Sequence, residues 1–425
     1  MSALAKAMRP LTDEASLDVL LEEIGSSRFV LLGEASHGTS EYYTWRAKLS
    51  KRLIEERGFS FVAVEGDWPD CYAVNRYIKG YRDSGTSARE VLHAFDRWPT
   101  WMWANYEVEA FAEWLRRHND SAPEGKKAGF YGLDVYSLWE SMESIIRFFE
   151  KTDGEAAKAA RRAYQCFAPY NRDEHAYARA TRFVPSDCED EVVEMLRAIR
   201  EKMQDYPEDD EAAFSAEQNA IVSRNAERYY RAMMSGSADS WNIRDLHMVE
   251  TLNRLMELHG RDAKAIIWEH NTHIGDARAT SMARGGMINV GQVVRQQHEK
   301  DGVYIVGFGS YKGSVIASEE WGEPMQKIPL PEGRSGSWEA MLHGIEPKDK
   351  IVLLKDLKNE FKSPIGHRAV GVVYEPSMEQ YGNYVPSVMP ERYDAFIHID
   401  ETHALHPMHI APEHHKIPET YPFGM

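Results

Sequence analysis

Cysteine is scarce: Cys71, Cys166 and Cys188 are the only three in 425 residues. So few and so scattered, they exclude a disulfide-stapled small domain and a thiolate metal cluster, and they predict free thiols in a reducing compartment. Long apolar runs are missing as well. None approaches the roughly 20 residues that a membrane helix needs, and the stretch MSALAKAMRPLTDEAS is interrupted by Lys6, Arg9, Asp13 and Glu14, so it lacks the apolar core of a secretion signal. A cytoplasmic location is predicted. Positive charge is in deficit, with 50 Lys and Arg against 67 Asp and Glu and a formal net charge of -17. Binding to nucleic acid or to an anionic membrane rests on basic residues neutralising phosphate, so neither partner is expected. Small neutral or cationic molecules are the expected ligands, and the sequence leaves the oligomeric state open.

Several catalytic signatures are absent too. There is no G-x-S-x-G nucleophile elbow and no H-E-x-x-H zinc-protease pattern. The stretch GFGSYKG (307–313) fits neither G-x-x-x-x-G-K-[ST] nor G-x-G-x-x-G, so it reads as a turn rather than a phosphate loop.

What is present is a globular composition, 43% apolar and 11% aromatic, in a chain longer than one hydrophobic core usually spans. Short apolar runs alternate with helical patterns in the first third: FVLL (29–32), a helix over about 40–57, FVAVE (61–65), a helix over about 69–79, an aromatic-rich segment, and GFYGLD (129–134). That alternation is the mark of a parallel sheet with helices on its faces. From Ser137 to His259 strand signals vanish and charged amphipathic patterns follow one another. Strands resume at 265–270, 303–309, 314–318, 351–354, 369–374 and 395–399, with a loop over 322–337 and an irregular His-rich tail carrying His406, His409, His414 and His415. The predicted fold is α/β: a three-layer α/β/α core with a largely parallel sheet, built from 1–136 and 261–425. A helical insertion, 137–260, lies over the active-site edge.

Several strands end on polar residues. FVLL runs into Gly33-Glu34, FVAV into Glu65, GFYGL into Asp134, and AIIW into Glu269-His270-Asn271-Thr272-His273. In a parallel sheet the carboxyl ends of the strands form one edge where ligands bind, so these groups should converge there. Helix capping explains acids at such turns, and Thr39 or Ser40 and Asp67 are expected caps. Capping does not explain His37, His270 and His273. Imidazoles beside carboxylates, with Arg46 in the following helix, suit acyl transfer to water: one imidazole takes a proton and another group stabilises the oxyanion.

Three versions of such a site are open. Water can attack directly with His37 as base, oriented by Glu34 or Glu65. Ser36 can act as nucleophile, although EASHG places Glu34 where the elbow's first glycine belongs. Alternatively His270 and His273, with Glu34, Glu65 or Glu269, can hold a metal such as zinc, either for hydrolysis or in a non-catalytic binding protein. No cofactor is favoured. The candidate catalytic residues are His37, Glu34, Glu65, His270 and Arg46, and the candidate substrate-binding residues are His273, Glu269, Asn271 and Asp134.

The blocks LLGEASHGTSEYYTWRAKL, VAVEGDWPDCYAVNRYI, WEHNTHIGDAR and NYVPSVMPERYDAFIHIDETHALHP resemble the erythromycin esterase superfamily, which includes macrolide-lactone hydrolases. The resemblance runs from about Leu31 to His406. It implies a helical subdomain over an active-site cleft and ester hydrolysis by an activated water without an acyl-enzyme. It also implies His37 as general base, Glu34 and Glu65 as its acidic neighbours, Arg46 as the family's arginine, and His270 holding substrate or stabilising the transition state beside His273. A carboxylic ester is the expected substrate, with a macrolide lactone as one candidate.

Overall fold

The computed structural model describes residues 3–82, 84–123, 125–181, 187–202, 210–234 and 238–408. Eleven strands occur among them: β1 (Met8–Pro10), β2 (Phe29–Leu32), β3 (Phe61–Asp67), β4 (Gly129–Asp134), β5 (Ala265–Trp268), β6 (Val303–Ala317), β7 (Gln326–Leu330), β8 (Lys350–Leu353), β9 (Ile365–Arg368), β10 (Tyr384–Ser387) and β11 (Ala395–Thr402). Nine build one sheet in the order β1-β8-β11-β6-β2-β5-β3-β4, with β7 folded back on β6, while β9 and β10 pair separately. From β11 to β4 every neighbour is parallel, and β1, β8 and β7 add antiparallel partners.

Parallel strands are buried on both faces and therefore read as continuous apolar runs. In β2, Val30 and Leu32 enter one core, and Phe29 and Leu31 the other. The first core is closed by α1 (Ser40–Arg57), α2 (Trp68–Lys79) and α3 (Tyr106–Ser121). Between β4 and β5 the described residues form six α-helices: α4 (Leu138–Thr152), α5 (Gly154–Phe167), α6 (Glu174–Thr181), α7 (Glu189–Lys202), α8 (Asp210–Met233) and α9 (Asp239–His259). Helices α4 to α8 share a third apolar core. Helix α9 instead lays Met248, Val249, Leu252 and Leu255 on the sheet's second face, beside α11 (Val290–Gln297), which follows the one-turn helix α10 (Asn271–Ile274). The molecule is thus the expected three-layer α/β/α fold, and α9, although inside the 137–260 stretch, belongs to one of the three layers.

Four expectations are corrected. GFGSYKG is no turn: it lies within the single strand β6, which replaces the two strands expected at 303–309 and 314–318. Its glycines serve close packing, since a Cβ on Gly307 would come within 2.8 Å of the Tyr393 ring and one on Gly309 within 2.7 Å of Phe396. The loop expected over 322–337 contains β7, which pairs with the second half of β6. AVGVVY (369–374) forms isolated bridges, Val370 to Ser36 and Val373 to Ser318, and the strand lies just before it as β9. Finally, Cys166 and Cys188 are bonded to each other, because α5 and α7 pack side by side and bring residues 22 apart in sequence to a Cα separation of 5.9 Å. Cys71 is buried and takes no part in this disulfide. The cysteine argument for a reducing compartment therefore falls away. No described helix is long and apolar enough to cross a membrane. His406 is exposed and its Nδ1 lies 2.7 Å from Glu107, whereas His409, His414 and His415 lie outside the described residues.

Candidate active site

The turn from β2 into α1 is pinned by backbone on every side. Gly33 N donates to Val306 O, Asn271 N to Glu34 O, Val370 N to Ala35 O, and both Ile316 N and Leu405 N to Gly38 O. The contacts leave no room at the glycines: a Cβ on Gly33 would lie 2.0 Å from Asn271 Oδ1, and one on Gly38 would lie 1.9 Å from Ile316 O. Gly38→Ala is therefore expected to destabilise the fold by about 1–3 kcal/mol through forced backbone movement, read as a lower urea midpoint together with loss of the His37 geometry.

Held by that turn, Glu34 and His37 are buried. His37 Nδ1 lies 2.9 Å from Glu34 Oε1, and Arg46 Nη2, two turns into α1, donates to Glu34 Oε2 at 2.6 Å. The Arg46 guanidinium also stacks over Tyr43 and Trp268, at 4.4 and 5.0 Å from the ring centroids. Because a carboxylate can only accept, His37 must donate from Nδ1, and in the neutral ring Nε2 then carries the lone pair. Among the described residues nothing pairs with that Nε2. The Ser36 hydroxyl, the alternative nucleophile, is hydrogen-bonded to Thr39 Oγ1.

His270 has the opposite arrangement. It is the N-cap of α10: its Nδ1 accepts from Thr272 N at 3.3 Å and lies 2.7 Å from Thr272 Oγ1. A backbone N–H can only donate, so the His270 proton sits on Nε2, which makes no well-formed hydrogen bond among the described residues, although the Ala35 backbone lies close enough to the ring to act against the fall in its pKa. Burial, reinforced by His37 nearby, lowers the His270 pKa well below the usual imidazole value and keeps the ring neutral. The two rings lie 4.9 Å apart, centroid to centroid.

The other strand-end residues surround these two rings with charge. Glu65 accepts from His270 N at 2.8 Å and from Arg244 Nη2 at 2.7 Å. Its burial is outweighed by His273, Arg244, His37 and the His270 N–H, so its pKa falls far below the usual carboxylate range. Asp134 holds the same guanidinium at Nε and Nη2, at 3.0 and 2.7 Å. His273 stacks on Trp241 and sets Nδ1 3.0 Å from Asp245, with Nε2 3.0 Å from Arg244 Nη1 and 3.4 Å from Glu65. A metal held by His270 and His273 would compete with that guanidinium at His273 Nε2. Asn271 gives its amide to β6, donating to Phe308 O at 2.6 Å and accepting from Phe308 N at 3.3 Å, so it fixes the turn from inside the sheet. Glu269 is buried with both oxygens unpaired among the described residues, and burial, with Glu65 and Asp245 alongside, raises its pKa well above the carboxylate range.

The structure thus gathers Glu34, His37, Arg46, Glu65, Asp134, Glu269, His270 and His273 at one edge of the sheet. Arg244 and Asp245 complete the cluster, and strand-end reasoning passed over them. Their signal lay in α9, where Trp241, Arg244 with Asp245, Met248 and Leu252 recur at helical spacing, placing a charged pair on an apolar face.

The buried His247 and the half-buried His259, with pKa values lowered to about 4, and the buried His270, lower than usual, bind protons in the unfolded chain but not in the native one. Burial is the first cause in each. A base with a depressed native pKa makes the native state lose stability as pH drops through the unfolded value of about 6.5. Asp67, Asp70, Glu269 and His273, whose pKa values are raised, act in the opposite sense, so the test is a difference between proteins: in paired urea titrations His259→Gln should gain stability relative to wild type on going from about pH 8 to pH 5, and an unchanged pH dependence would contradict a neutral His259.

The profile of the erythromycin esterase family matches residues 54–402. Erythromycin esterase type II of Escherichia coli is 22% identical over 364 residues, covering 80% of this chain and 84% of its own. Among solved structures, a Bacillus cereus protein superposes with a TM-score of 0.80 at 17% identity, covering 96% of this chain and 98% of that one. A mutant erythromycin esterase in its open conformation superposes with a TM-score of 0.68 at 15% identity, covering 92% and 95%.

Proposed function

The chain belongs to the erythromycin esterase family, and from that premise and the geometry above we propose that it hydrolyses a carboxylic ester by general-base activation of water, with His37 as the base. One observation carries the reading: two buried imidazoles 4.9 Å apart have their Nδ1 atoms committed to partners of opposite kind, so that one offers a lone pair and the other a proton from Nε2. A water between them gives its proton to His37 Nε2 as its oxygen attacks the ester carbonyl. His270 Nε2–H then donates to the oxyanion. Base catalysis of this kind supplies about 10²–10⁴-fold, and one well-placed oxyanion donor about 10²–10³-fold. Glu34, steadied by Arg46, orients His37 and stabilises the imidazolium that forms. Glu65 ties the His270 backbone to Arg244, and through Arg244 to Asp134 and His273, so the two rings keep their spacing.

The test is a panel of linear acyl esters and macrolide lactones incubated with the protein in heavy-oxygen water and followed by mass spectrometry. The expected product is the acid carrying one heavy oxygen, with no covalent adduct on the protein. An acyl adduct on Ser36, or no turnover across the panel, would overturn the reading.

A further inference from the structure

We propose that the small cavity beneath Asp67 and Thr100 takes the ammonium head of a primary amine, presented by a substrate of the neighbouring hydrolytic centre. The amine-binding half stands on the cavity itself; the word substrate rests on the hydrolase reading.

Asp67 closes β3 two residues after Glu65, opposite Asp134 in the β3–β4 register. It occupies the N-cap position of α2, yet its side chain makes no capping bond. Instead it lines a cavity with Asp70, Phe95, Arg97, Pro99, Thr100 and Trp103, large enough for about one water-sized group. Among the described residues Asp67 Oδ1 and Thr100 Oγ1 have no hydrogen-bond partner, although both side chains are buried. Trp103 joins this wall to the catalytic end of the sheet, donating from Nε1 to Glu65 O at 3.0 Å.

Charge decides what the cavity accepts. Arg97 lies 3.4 Å from Asp67 Oδ2 but also 2.9 Å from Glu140, and Arg244 is held by Asp134 and Glu65. Both guanidinium groups are thus already matched by other acids, while Asp67 and Asp70 face one another's field. Burial first, then Glu140 and Asp134, push the Asp67 pKa up to about 7 against Arg97 and Arg244, and burial with Asp67 and Glu140 raises that of Asp70. A proton is then the counter-ion when no other cation is present. A primary ammonium is water-sized and carries donors for Asp67 Oδ1 and Thr100 Oγ1, and the Phe95 and Trp103 rings in the wall favour a cation. When the amine enters already charged, the carboxyl proton of Asp67 passes to the buffer and the carboxylate pairs with the ammonium.

Calorimetric titration with methylammonium chloride at constant ionic strength tests this, below and above pH 7 and in buffers of different ionisation heat. The expected result is saturable binding that tightens above pH 7 and releases protons below it, weakened about tenfold or more by Asp67→Asn and severalfold by Thr100→Val. No binding at either pH, binding indifferent to both variants, or an equal response to potassium chloride would overturn it. A second measurement compares an aminoalkyl ester with its neutral isostere, where the preference for the amine should fall in both variants. Methylammonium binding without turnover of any ester would sink the hydrolase reading alone; ester turnover with no methylammonium binding would sink this one alone.

Discussion

His37→Asn is expected to lower kcat/KM on any competent ester about 10³-fold, within the range a lost general base produces, while the protein stays folded. Asparagine fills most of the ring's volume and its amide can still donate to Glu34, so the buried carboxylate keeps a partner and Arg46 keeps its bond. What disappears is the lone pair of Nε2. Ser36→Ala, by contrast, removes a hydroxyl bonded to Thr39 and should leave activity within about tenfold of wild type, since no proton path through Ser36 is needed. A His37→Asn enzyme with near-normal turnover, at a saturating concentration of the best ester, would rule out the base.

The second large effect is on stability. Arg244→Met should destabilise the protein by about 3–5 kcal/mol, because removing one member of a buried ion cluster leaves the others uncompensated. Glu65 and Asp134 both depend on this guanidinium, Tyr136 stacks against it at 4.9 Å, and the site is fully buried. The pH dependence carries a sign. In the wild type the depressed pKa of Glu65 contributes stability that is complete above about pH 4.5, the unfolded carboxylate value, and fades as pH falls through the native one. In Arg244→Met the Glu65 carboxyl loses this cation and binds a proton more readily than in the wild type. The deficit against wild type should thus be largest at neutral pH and shrink toward pH 4, as read from paired urea titrations. A deficit that is constant with pH would mean that the arginine acts by packing alone.

The sheet and the convergence at its edge were legible because both rest on local rules. An apolar run as short as FVLL, followed by a turn and a helical pattern, reads as a buried strand, and the polar residue that ends it falls at the crevice or at a helix cap. Glu34, Glu65, Asp134 and Glu269 follow that logic, and His37 and His273 stand out because capping does not need an imidazole, whereas His270 does cap a helix through Nδ1 and keeps Nε2 for the site. Other features depend on contacts that no window of sequence contains. Gly307 and Gly309 looked like a turn, yet their lack of a Cβ makes room for the Tyr393 and Phe396 rings from the last part of the chain. The pairing of Cys166 with Cys188 follows from how two helices pack. Arg244 and Asp245 sit in a long amphipathic segment where a charged pair reads as solvated surface unless its phase against Trp241, Met248 and Leu252 is counted. Asp67 occupied the expected capping position, but the direction of its carboxyl, away from the helix and into a cavity, was not readable from spacing.

Opposite proton positions on two neighbouring rings are the core of the account, and nitrogen-15 NMR of the histidine side chains reads them directly, with His37→Asn and His270→Asn identifying the signals among the 17 histidines. At about pH 7 the spectrum should show His37 protonated at Nδ1 with a bare Nε2, and His270 neutral with its proton on Nε2. Finding both rings in the same tautomer, or His270 doubly protonated, would contradict it.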